Sequence, residues 1–313
     1  MVNQMKIVVS LMLVLGAGAA GTAGDGVPRY RFEPGQELTY RIDWTIRYSA
    51  VDRTALHDDY TDVVARVVRK NADGSYRIVV GWRETNTKTA NGGLAVTGPW
   101  SSVFYVDVFP DGRELPMQDR AEGAIPGMLF PPLPRDDGEL KAGWSAKLQD
   151  FTYACAAEPE KSDHQFRAKV DAPVMQRLHD SRTTRFSFDD ARGFVSKSDD
   201  TFVRDSNPNG AGTGTTRLVG VKLIGKSELK RLAKDTDSYS GALEAYNSRM
   251  KHAEDVDPER ARQIARDAET ELKAAVEKIL DSDLKAEGQR VLARHAERLE
   301  GVVATISRRA TRR

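Results

Sequence analysis

One cysteine, Cys155, stands in a chain of 313 residues. A lone thiol excludes an internal disulfide and any Cys-x-x-Cys redox or zinc motif, so the folded state has to rest on packing. Cys155 lies in FTYACAAEP, among small and apolar neighbours with no histidine close in sequence, the setting of a buried structural thiol and not of a nucleophile. Charge imbalance is also scarce: 47 Lys and Arg stand against 46 Asp and Glu. With both signs interspersed, no basic field draws a nucleic acid or an anionic surface. The five histidines (His57, His164, His179, His252 and His295) are never three or four residues from one another or from the cysteine. The local spacing of metal ligands is therefore missing. Gly210, Gly212 and Gly214 lead into a strand with no lysine until Lys222, and no Gly-x-Ser-x-Gly elbow occurs, so neither a phosphate cradle nor a hydrolase nucleophile is legible. No catalytic residue, metal or cofactor is expected.

Long apolar runs are absent but for IVVSLMLVL at residues 7–15, between a short basic start and the small residues 16–24. A bilayer takes about 20 apolar residues, so this run is too short for a transmembrane anchor and matches a secretory signal peptide, residues 1–23, cleaved near Ala23. The protein is expected to be exported, periplasmic or extracellular. The basic run Arg308, Arg309, Arg312 and Arg313 is expected to be a solvated helix end, where the macrodipole favours cations.

What is present starts with a strand. Leu38, Tyr40, Ile42, Trp44, Ile46 and Tyr48 alternate with polar residues, the period of a pleated strand with one apolar face. Each large side chain taken out of water is worth about 1.5–3 kcal/mol, so this face demands a cover. A polar loop over 51–59 leads to a strand at 60–69, and the turn at Asn71-Ala72-Asp73-Gly74 closes a hairpin with Tyr76, Ile78, Val80 and Trp82. A second hairpin turns at Pro110-Asp111-Gly112. Strands follow at 144–153, 165–170, 183–188, 194–204 and 215–224, the last entered through a Gly-rich loop. The paired carboxylates Asp58/Asp59, Asp136/Asp137, Asp189/Asp190 and Asp199/Asp200 are expected in turns.

Between these strands, AIPGMLFPPLP carries Pro126, Pro131, Pro132 and Pro134, which exclude a helix or a central strand. It is too apolar for a solvated loop, so residues 125–133 are expected to lie across the sheet as a lid. If the sheet encloses a ligand, its lining is expected from Met128, Leu129 and Phe130 of the lid and from the aromatics Trp44, Trp82 and Trp144. Large aromatics more often fill a sheet core, and that alternative stays open.

From residue 226 the period changes: Leu229, Leu232, Thr236, Tyr239, Leu243, Tyr246, Met250 and Ala253 fall at steps of three and four. Asp257-Pro258-Glu259 caps a second helix, and a third begins near Ser282. The fold class is α+β: an antiparallel curved sheet, flattened barrel or half-barrel over 24–225, then a helical hairpin or three-helix segment over 226–313. The function expected of it is an exported cell-envelope binding or scaffold module without catalytic activity, meeting a protein partner or a second copy through its helices. The alternatives are a carrier of a lipid or other apolar ligand beneath the lid, and an enzyme.

FEPGQELTY at residues 32–40, LFPPLP at 129–134, AGW at 142–144, FDDARGFVSKS at 188–198 and TTRLVGVKLI at 215–224 together resemble exported bacterial β-domain proteins of uncharacterised function. The resemblance covers about residues 30–225. In some relatives a helical segment leads into a thioredoxin-type domain; with no Cys-x-x-Cys here, that redox activity is not carried over. The resemblance implies no functional residues. Intact-mass measurement of protein recovered from its host should show a chain lacking the first 23 or so residues; an intact Met1 start would refute the leader.

Overall fold

The computed structural model describes residues 26–50, 53–88, 102–115, 127–158, 164–171, 181–203 and 210–311. The expected leader, Ile125 and Pro126 of the lid, and His179 lie outside them. Ten strands are present: β1 Gln36–Ala50, β2 Arg53–Lys70, β3 Tyr76–Lys88, β4 Ser102–Val108, β5 Trp144–Leu148, β6 Phe151–Glu158, β7 His164–Asp171, β8 Ser181–Asp189, β9 Phe194–Val203 and β10 Gly210–Leu223. They form one antiparallel sheet in the order β4-β3-β2-β1-β10-β9-β8-β7-β6-β5. First and last strands pair at the centre, Ile42 opposite Thr216 and Trp44 opposite Gly214. The sheet is curved and not closed; β4 and β5 are its two edges.

Several boundaries differ from the sequence reading. The Asp-rich stretch 53–59 is strand and not loop, because it pairs with β1 residue by residue, Asp59 against Trp44 and Asp58 against Thr45. The strand expected over 144–153 is two strands, reversed at Gln149, whose φ of 57° supplies the turn. The Gly-rich stretch is also strand, with Gly210, Gly212 and Gly214 paired to Tyr48, Ile46 and Trp44.

One face of the sheet collects the inward residues of nine strands into a single core, from Leu38 and Tyr40 to Phe166, Phe186 and Trp144. That is possible only because the sheet curls, and the curl leaves a gap between β4 and β5. The chain crosses this gap, leaving β4 at Phe109 and entering β5 at Trp144. Phe130 meets the rings of Tyr30 and Phe32 edge-on at 5.6 and 5.2 Å. The proline content has a physical reason: prolines bring no backbone N–H into the core, leaving only carbonyls to satisfy. Tyr30 Oη donates to the Pro131 carbonyl at 2.9 Å, Trp144 Nε1 to Pro132 at 3.2 Å and Arg29 Nη1 to Pro134 at 2.7 Å.

After a short helix α1 (Asp137–Ala142), the remaining helices follow the sheet: α2 Lys226–Ala253, α3 Pro258–Glu277, α4 Ser282–Ala293 and α5 His295–Thr311. What the sequence presents as one third helix is two, broken at Arg294, whose φ of −89° and ψ of 1° leave the helical region. The array docks on the outer face at the β4 edge, where Val68, Val79, Val103 and Tyr105 join Leu232, Tyr239, Leu243 and Leu284 in a second core. Arg77 fastens the seam, pairing with Asp107 at 2.8 Å and donating to Ser240 Oγ on α2 at 2.9 Å. No helix of the described residues is long and apolar enough to cross a membrane.

Gly112 holds the lid in place: its φ is +79°, and a Cβ there would stand 2.5 Å from the Pro131 carbonyl oxygen. Gly112→Ala is expected to cost about 1–3 kcal/mol by overpacking, read as a lower denaturant midpoint at unchanged slope.

Candidate functional site on the inner face

The core described above fills the half of the inner face nearest the lid. Further along the strands the inward positions turn polar. Register places Thr216 opposite Ile42, Gly214 opposite Trp44, Asp200 opposite Gly214, and Thr184 opposite Asp200. These residues share the inner face with Ser198, Arg182 and Phe202, by the same alternation that turns Phe186 and Phe188 inward. The result is a polar island bordered by Trp44 and Phe202.

The island is built around a buried ion pair. Arg182 is 4% exposed and Asp200 2%. Arg182 Nη2 and Nε both donate to Asp200 Oδ1, at 2.8 and 3.1 Å, and Thr184 Oγ1 donates to the same oxygen at 2.5 Å. The guanidinium also lies over the Trp44 ring, 6.0 Å from its centroid. The aromatic rings that border the pair sit over glycines of β10. A Cβ on Gly214 would stand 2.5 Å from the Trp44 ring, and one on Gly212 would collide with the ring of Phe202. The glycines thus seat aromatic rings that approach the backbone closely.

Two buried polar atoms on this part of the face lack an internal hydrogen-bond partner, Arg182 Nη1 and Thr216 Oγ1; a third, Tyr40 Oη, belongs to the lid half, where Tyr40 packs on Phe130. Leaving a buried donor unsatisfied costs about 1–3 kcal/mol. Burial also pushes the Tyr40 hydroxyl well above its ordinary pKa, so it stays protonated at neutral pH and retains its proton for donation.

The residues singled out from sequence divide between the two halves. Trp44 borders the island, and Trp82 is half-buried against the core. Met128, Leu129, Phe130 and Trp144 are buried in the lid half, where Phe130 is packed among Tyr30, Phe32 and Tyr40. Arg182, Asp200 and Thr216 were missed. The Asp199/Asp200 pair was placed in a turn, whereas it lies inside β9, opposite Thr215 and Gly214. The available signal was the alternation itself: Arg182, Thr184, Phe186 and Phe188 share one face, so a charge falls on an inward position.

Other reactive side chains lie elsewhere. Burial pushes the Cys155 thiol up to about 12, so it stays protonated. His164 Nδ1 meets Asp190 at 2.7 Å, and His295 is buried in the helical array with its Nδ1 3.0 Å from Tyr246 Oη. Among the described residues no group of three or more His, Cys, Asp or Glu is placed to hold a metal ion. A groove of about 730 Å³ runs between β4, α2, α4 and α5, bordered by Tyr105, Met250, Val302 and the charges of Glu287, Arg294 and Arg298.

Asp200→Ala, which strands the Arg182 charge, is expected to destabilise the protein by about 3–5 kcal/mol. Thr216→Val, which removes a hydroxyl with no internal partner, should leave stability unchanged or raise it by about 1 kcal/mol. Urea denaturation of the ligand-free protein checks both.

No family model matches the chain, and no curated protein matches it. Among solved structures it is similar to DynF from the dynemicin biosynthesis pathway of Micromonospora chersina, at 10% identity and a TM-score of 0.20, over 66% of this chain and 89% of that one. A likeness at that score carries no argument about fold or function.

Proposed function

We propose that the protein is an exported binding module that holds a small amphipathic molecule on the inner face of its sheet and does not transform it. The observation that carries this reading is the buried Arg182–Asp200 pair, whose Arg182 Nη1 has no internal hydrogen-bond partner, beside the apolar rings of Trp44 and Phe202. Ligand sites combine these features: apolar walls and a few convergent polar groups that fix orientation. Trp44 and Phe202, with ring centroids 5.9 Å apart, would cover the apolar part of the ligand. The reading that the ligand is held and not transformed is supported by Cys155, whose thiol stays protonated, and by the placement of His164 and His295 away from the island.

The groove between β4 and the helices supports a second reading, in which the array seats a protein partner or a second copy. Native mass spectrometry of protein isolated from its host addresses both. A small-molecule adduct that disappears after denaturation and refolding, with a tryptophan emission shift lost in Trp44→Phe, is the expected result. A homogeneous unadducted monomer that also takes up no apolar fluorescent probe would overturn the first reading, and a dimer mass would favour the second.

A further inference from the structure

Only the first half of β10 is held on both sides. Its pairing with β9 ends at Arg217 opposite Lys197, whereas its pairing with β1 runs on to Leu223 opposite Gln36. Residues 218–223 therefore form an open edge inside the sheet, on the side that β9 has left. Val219, Val221 and Leu223 are 53%, 47% and 71% exposed there, three of the four large hydrophobic side chains that stand in water among the described residues. The backbone is open as well. Ile224 N–H donates to the Gly35 carbonyl just before β1, so by strand alternation Lys222 also turns its N–H and C=O toward β1, while Val221 and Leu223 turn theirs away. Among the described residues nothing bonds to those outward groups. The sheet edge at β4 is different, for its Val103 N–H is capped by Glu287 at 3.1 Å.

From this edge we infer that the protein pairs with a second copy of itself, β10 against β10 in antiparallel register about a two-fold axis at Val221. An open edge takes an extended chain, because its N–H and C=O groups repeat at the spacing of a strand. Charge selects the image of the same strand. Lys222 is the one charge in the segment, and it is already paired with Glu37 at 2.9 Å. With the axis at Val221, each Lys222 faces Gly220 of the other copy and each Leu223 faces Val219, so apolar meets apolar and no like charges oppose. An axis one residue further on would set Lys222 against its own image. Val221 stands across from the wholly buried Leu38, so Val221 and its image continue that apolar layer across the axis. Val219 is the extra residue of a bulge against β1, which keeps the ladder short and centred on Val221. The inference is independent of the inner-face site and uses a different surface from the groove beside α5.

Sedimentation velocity of the full mature protein over a concentration series, combined with oxidative crosslinking, tests this. Wild type is expected to dimerise, and Val221→Lys, which sets two lysines against each other at the axis, should weaken the dimer about tenfold. Val221→Cys reads the register. Opposed residues of a hydrogen-bonded antiparallel pair stand about 5.5 Å apart between Cα atoms, inside the range of about 4.4–6.8 Å that a disulfide spans. Oxidised Val221→Cys should therefore run as a covalent dimer, while Leu223→Cys, about 14 Å from its image along the strands, should not. Cys155 is buried, so wild type serves as the uncrosslinked control. Both substituted positions are exposed, and the variants are expected to keep the wild-type urea midpoint. Wild type that stays monomeric throughout the series would overturn the inference. A dimer unchanged in Val221→Lys and uncrosslinked in Val221→Cys would overturn it too, and loss of that dimer in Arg294→Glu would then place the contact in the groove.

Discussion

The fold depends on covering the inner face of one curved sheet. β1 is at its centre, paired to β2 on one side and β10 on the other, so its apolar residues Leu38, Tyr40 and Ile42 face the middle of the enclosed space. A ten-stranded sheet of this kind curls but does not close, and the opening between β4 and β5 is bridged by the chain itself. The proline-rich crossing is suited to that place because it adds apolar bulk while bringing few backbone donors. Its carbonyls find Tyr30, Trp144 and Arg29, and its ring at Phe130 completes an aromatic cluster with Tyr30 and Phe32.

Coverage is uneven, and that unevenness is what singles out the candidate site. Near the lid the inward positions are filled by apolar side chains, most of them large. Toward the other end of β8, β9 and β10 the inward residues become Arg182, Asp200, Thr216 and two glycines, with Trp44 laid across the gap. A buried ion pair contributes little net stability compared with apolar residues of the same volume. Its presence here, with an Arg182 donor that finds no partner among the described residues, is what supports the proposed binding role.

The helical array solves a separate problem. The outer face of β2, β3 and β4 carries Val68, Val79, Val103 and Tyr105, which would otherwise stand in water. The helices cover them, and the seam is made specific by charge: Arg66 meets Asp281 and Asp283, Arg77 meets Asp107, and the Tyr105 hydroxyl donates to Glu244. Asp235 on α2 accepts from the backbone N–H groups of Leu280 and Asp281, tying the start of α4 to the first long helix. β4, which as an edge strand would expose unpaired backbone groups, has its Val103 N–H bonded to Glu287 of α4 instead.

Local pattern by itself determined most of the elements, though not all of their boundaries. Alternation from Leu38 onward dictates a strand, steps of three and four from Leu229 dictate a helix, and the four prolines of residues 126–134 exclude both, because these are properties of neighbours in the chain. Pairing across distance was not legible: Asp59 is strand because Trp44 lies opposite it, and Gly214 is strand because an aromatic ring needs its missing side chain. The site belongs to that second kind. Arg182, Asp200 and Thr216 come from three different strands, and only the register of the folded sheet turns them to one face, where burial converts ordinary surface residue types into a charge pair and unsatisfied donors.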